Sequence, residues 1–143
     1  IAVMKPINVI AVLLLCLLAF TAPAGAEDKD DWIKGKLFGP ELILQNRKEL
    51  KLTAKQMDLI GSELKRVQGQ AAESDWTLMT EATQLQELID QHPVDGKAVM
   101  AGVDRVFDAE NRKKKLFMEM LVNIKNALTA EQVAYLKTVD QTP

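Results

Sequence analysis

The sequence predicts an all-α fold of two long and two short helices, arranged as a thin helical hairpin. Three observations predict it. Apolar residues recur three and four positions apart over two stretches of about 35 residues each. Alternating Val, Ile, Thr and Tyr runs bounded by turn residues, the mark of strands, are absent. One pentapeptide, Leu-Thr-Ala-x-Gln, occurs twice, at residues 52–56 and 128–132, each time where a helix should begin.

The first stretch reads as an address, outside the fold. Met4 and Lys5 precede the apolar run 9–20, and Thr21-Ala22-Pro23-Ala24-Gly25-Ala26 closes it. A short basic region, an apolar centre and a small-x-small ending form the pattern of a secretory signal peptide. The run is shorter than the roughly 18 to 20 apolar residues a spanning helix needs. Cleavage after Ala26 is therefore expected, with Ile1, Ala2 and Val3 upstream of the natural start and the product in the periplasm. Cys16, the sole cysteine, follows Leu15 in the middle of the apolar run, the wrong setting for lipid attachment, and leaves with the leader. Packing alone must then hold the remaining 117 of the 143 residues, one small domain. Lys5 is the only charge before residue 27, so the remainder carries 17 basic and 20 acidic residues, a balance that does not suggest nucleic acid.

The elements follow in order. Residues 27–38, charged and aperiodic, read as a disordered N-terminal segment, and the helical domain as 39–140. Gly39-Pro40-Glu41 opens a first short helix, because proline at the first helical position forfeits an N–H that would have no partner there. Leu42, Ile43 and Leu50 follow, with an end near Lys51. Thr53 and Gln56 then have the T-x-x-Q spacing of a capping box, in which the hydroxyl accepts from the Gln N–H and the Gln side chain reaches back. Leu52 before the cap and Met57 after it complete a hydrophobic staple. The first long helix carries Met57, Ile60, Leu64, Val67, Ala71, Leu78, Leu85 and Leu88 on one stripe, interrupted by Ser74 and Glu81, and should stop at His92-Pro93. Asp95 caps the second. Its stripe reads Val99, Val103, Val106, Phe117, Met120 and Ile124, with Glu110 and Lys113 in its middle. Leu128, Thr129 and Gln132 repeat the box, and a last helix from Ala130 to about Val139 buries Val133 and Leu136. Helices that long, roughly 50 Å at 1.5 Å per residue, cannot bury all their apolar surface in one copy. A homodimer in which the long helices pair is expected.

Two such boxes, 76 residues apart with Leu before each, in an exported helical chain, resemble the Spy/CpxP family of periplasmic LTxxQ-motif proteins. The resemblance covers about Leu37 to Val139. It implies a cradle-like antiparallel dimer and an ATP-independent chaperone or stress-response adaptor that binds unfolded or misfolded envelope proteins. Alternatively it implies a signalling inhibitor docked on the periplasmic domain of a sensor kinase. A third implication is a metal-responsive member that binds or senses heavy metals.

The residues themselves favour no enzyme and imply no cofactor. With one histidine, no cysteine past the leader and no phosphate-binding glycine loop, the sets needed for nucleophilic catalysis or nucleotide binding are missing. Asp90 and Asp95 lack a companion that would perturb them. No metal site is assigned. His92 is the weak candidate ligand, better placed to meet helix-terminal carbonyls, and Met57, Met79, Met100, Met118 and Met120 read as core filling. The client-binding candidates lie off the stripes. Lys114, Lys115, Met118, Val122 and Lys125 recur at helical spacing on the second long helix, and Ala72, Trp76 and Met79 do so on the first. Basic charge beside adaptable apolar side chains suits loose contact with partly unfolded chains.

Overall fold

The computed structural model describes residues 32–140. The expected leader 1–26, and residues 27–31 of the following segment, lie outside the described residues. The chain divides into two units, Ile1–Trp32 and Ile33–Pro143, and every described helix belongs to the second. These helices are α1 (Pro40–Gln45), α2 (Ala54–Ile89), α3 (Gly96–Ala127) and α4 (Ala130–Asp140). The fold is all-α, with two long helices and two short ones.

Local chemistry sets each boundary. Pro40 starts α1 behind Gly39. The helix is shorter than its sequence suggests, six residues ending at Gln45 instead of a run to Lys51. The side-chain amide of Asn46 donates to the Leu42 carbonyl at 2.8 Å, and such local bonds offer the backbone an alternative to helix. The chain then turns, and Lys51 takes a left-handed conformation at φ 49°. The Thr53 capping box opens α2. Asp95 opens α3, its carboxylate accepting from the N–H groups of Lys97 (3.0 Å) and Ala98 (3.1 Å). The stop of α2 comes at Ile89, three residues before the cis His92–Pro93 bond.

The two long helices run antiparallel along their lengths. Going from base to tip, Asn123 of α3 meets Glu63 of α2, Glu119 meets Arg66, Lys113 meets Asp75, and Arg105 meets Glu81. The seam between them on α3 is Gly102, Ala109, Leu116, Met120 and Ile124. The stripe read from the sequence holds for Met120 and Ile124 and is corrected elsewhere, because Val99, Val103 and Val106 are only half-buried and Phe117 is 41 % exposed. The reason is the closeness of the helices. A Cβ on Gly102 would stand 3.0 Å from a Leu85 methyl, so small residues occupy the seam and larger ones fall beside it. On α2 the reading holds for Ile60, Val67 and Leu85, all buried.

The main core lies at the base. Phe38, Ile43, Leu50, Ile60, Val67, Leu116, Met120, Ile124 and Leu136 form one cluster, with Leu64, Leu121, Leu128 and Val133 packed against it. A second correction follows. Residues 33–38 of the segment read as disordered form a turn, the Leu37 N–H donates to the Ile33 carbonyl at 3.0 Å, and Phe38 is 2 % exposed. The Gly35 N–H donates to the Asp140 carboxylate at 2.7 Å, tying this arm to the end of α4. Periodicity cannot register one aromatic anchor in a charged stretch, yet burying it contributes roughly 1.5 to 3 kcal/mol.

Candidate functional site

The repeated pentapeptides meet in space. Each is a complete capping box, with Thr53 Oγ1 accepting from the Gln56 N–H and Thr129 Oγ1 from the Gln132 N–H, both at 3.2 Å. The Gln oxygens in turn accept from the N–H groups of Thr53 (3.0 Å) and Thr129 (2.9 Å). The two side-chain amides also face each other. Gln56 Nε2 donates to Gln132 Oε1 at 2.8 Å, and Gln132 Nε2 donates to Gln56 Oε1 at 3.2 Å. Their second protons go to the carbonyls of Ala127 and Leu50, each at 2.9 Å. Each buried amide thus uses two donors and two acceptor positions, and turning either one over would set N–H against N–H. Spacing reveals each box alone; that the boxes clasp each other depends on the hairpin bringing the start of α2 to the end of α3. This clasp is structural, and it fixes the base from which the hairpin extends.

Beyond the base the hairpin has two unlike broad faces. One is polar. There Arg66 donates to Glu63 at 2.7 Å and reaches Glu119 at 3.4 Å, and Arg105 pairs with Glu81 at 2.7 Å. The Arg66 guanidinium holds the Glu63 carboxyl below the usual carboxylate range against the opposing push of burial, with the Asn123 amide helping. The opposite face is apolar. Near the base its residues Leu64 and Leu121 pack against the core cluster. Farther out Leu78, Val103 and Val106 are half-buried and Phe117 is 41 % exposed. A shallow groove of about 350 Å³ lies here, floored by Ser74 and Ala109, walled by Leu78 and Phe117, and edged by Glu110, Lys113 and Lys114.

The predicted client residues fall elsewhere. Trp76 and Met79, 68 % and 54 % exposed, sit with Ala72 on the outer side of α2, away from the seam. Lys114 and Lys115 are exposed, Met118 and Lys125 half-buried and Val122 exposed, on the outer side of α3. The two patches therefore look away from one another and do not form a single surface. Neither lies in the groove, though Lys114 reaches its edge. Sequence reasoning placed Phe117 in the seam, whereas it is 41 % exposed, and Leu78 and Val106 there too, whereas they are half-buried beside the groove. The small residues at 102 and 109, one heptad apart and followed by Leu116, were the available signal. His92 is exposed, and no group of three or more His, Cys, Asp or Glu side chains gathers among the described residues. No described helix is long and apolar enough to cross a membrane.

Comparison with protein-family models, curated proteins and solved structures finds no match to this chain.

Proposed function

We propose that the chain is a periplasmic, ATP-independent chaperone of the Spy/CpxP kind, binding partly unfolded envelope proteins and working as a homodimer. One observation supports this reading: the outer half of the hairpin presents a shallow, partly exposed apolar groove edged by Glu110, Lys113 and Lys114. Leu78, Val106 and Phe117 offer area without a deep, selective pocket, which suits clients of varied sequence. Apolar contact at about 25 cal/mol per Å² holds a client for a time set by the area it exposes. The charge of Lys114, which has no ion-pair partner among the described residues, aids encounter. The tip leaves Ile89, Val94 and Met100 at 44 %, 50 % and 60 % exposure, and a second copy would cover it.

The test is suppression of aggregation of a chemically denatured client, with helicity and mass in solution followed in parallel. Replacing Phe117 and Leu78 by Ser should shorten client retention several-fold at every salt concentration, while helicity persists because both lie off the seam. A parent protein that fails to delay aggregation of several unrelated clients would refute the chaperone reading.

A further inference from the structure

The outer side of α3 has a property the client face lacks. Of the four consecutive cations Arg112 to Lys115, only Lys113 has an ion-pair partner, Asp75. Arg112, Lys114, Lys115 and, three turns on, Lys125 have no carboxylate within pairing distance among the described residues. Between and beside them stand Phe107 (51 % exposed), Val122 (40 %) and the half-buried Met118. Phe107, Lys114, Met118, Val122 and Lys125 follow one another at helical spacing, so they share a strip about 27 Å long at 1.5 Å per residue. The strip is convex. Recesses lie to either side of α3, one edged by Glu110, Lys113 and Lys114 and the other lined by Arg112 and Lys115 together with Glu73 and Glu119.

We propose that this strip docks the protein on an anionic lipid surface. A convex strip with unpaired lysines at 114 and 125, Lys115 at its flank and apolar side chains between them does not enclose an extended peptide, which needs a groove or a free strand edge. It does match a plane of phosphate headgroups. Such helices lie in the interface with lysines at the headgroups and apolar residues dipped toward the acyl boundary. Each Lys or Arg near an anionic leaflet contributes an increment that falls off within a Debye length. The contact is peripheral and reversible. It would leave most of the groove face, a quarter-turn away around α3, open to clients, with Lys114 on the border between the two.

The experiment is co-flotation of the full chain with vesicles of phosphatidylcholine alone or mixed with phosphatidylglycerol. Binding should be stronger on the mixed vesicles at low salt and fall as salt rises. Lys114→Glu with Lys115→Glu should weaken it at least about tenfold, whereas Lys55→Glu with Lys97→Glu, the same charge change on exposed lysines elsewhere, should not. Val122→Ser should lower what remains bound at higher salt. Helicity measured alongside shows that each variant is folded. Equal binding to both vesicle types would place the attraction on other apolar segments and overturn the proposal, as would absence of binding to the anionic vesicles. Unchanged lipid binding by the Lys114/Lys115 variant would overturn the proposal whatever its effect on aggregation, because Lys114 also edges the client groove.

Discussion

Gln56 and Gln132 show why one pentapeptide is needed twice. Each amide caps its own helix, satisfies its counterpart, and donates to a carbonyl of the segment preceding the other's helix. Truncating Gln56 to Ala leaves the Ala127 carbonyl, the Thr53 N–H and half of the Gln132 amide without partners in a site only 9 % exposed. A loss of about 2 to 4 kcal/mol is expected from such orphaned groups. Gln132→Ala should cost about as much, and the double variant less than the sum, with a coupling of about 0.5 to 3 kcal/mol. The threonines should behave differently. Thr53→Ala and Thr129→Ala remove only the hydroxyl acceptors, so each should cost about 1 kcal/mol and the two should add. Denaturant midpoints for the two double-variant cycles check this contrast. Equal additivity in both would mean that the amide pair carries no coupling. Glu63 adds a pH response. Its carboxyl is held below the usual value by Arg66, so its stabilisation is fully present above the ordinary carboxylate pKa and is lost as pH falls through the lowered folded value. Glu63→Gln should flatten the acid limb of the stability curve.

Among the elements, α3 is the most instructive. Its existence and its Asp95 cap were legible, because periodicity and an acidic N-cap are local signals. Its orientation was not. Reading large apolar residues as the stripe turned the helix so that Val103, Val106 and Phe117 faced α2, when Gly102 and Ala109 do. Close approach selects for small side chains, and a scale that rewards bulk cannot see them. The same limit hid the role of Phe38, while Thr53, Gln56, Thr129 and Gln132 were placed correctly as caps without any sign that they meet. Gly102→Val tests the seam. Its branched side chain would enter space already 3.0 Å from Leu85 at the Cβ alone, forcing the helices apart at a cost of about 1 to 3 kcal/mol. Gly102→Ala should be near neutral, since its gain in helix propensity of up to about 1 kcal/mol opposes the tighter contact. Melting temperatures of the two variants separate these outcomes. A valine variant as stable as the parent would show that the seam is looser than the geometry indicates.

At the scale of the molecule, stability is unevenly placed, and the proposed client groove borders the part where it is lowest. The base joins four helices, the arm at Phe38 and the amide clasp. The outer half of the hairpin rests on Leu85, Gly102 and Ala109, with the pairs Arg105–Glu81 and Lys113–Asp75. Exposed pairs of this kind contribute only about 0 to 1 kcal/mol, so they set the register of the helices more than they hold them together. Amide hydrogen exchange should therefore divide the long helices. Amides near Ile60, Val67, Leu116 and Ile124 should exchange only through global unfolding, and those between about residues 78 and 106 through local opening at lower free energy. A tip that opens can adapt to partners of different shape, as the proposed chaperone function requires. The proposed second copy makes a further demand on the same measurement. If it covers Ile89, Val94 and Met100, protection of the tip should rise with protein concentration, by linkage to association, while protection of the base stays constant until global unfolding is itself affected. Exchange at the tip that is fast and independent of concentration, in a protein whose mass in solution stays that of one chain, would refute the homodimer and leave the apolar face to clients alone.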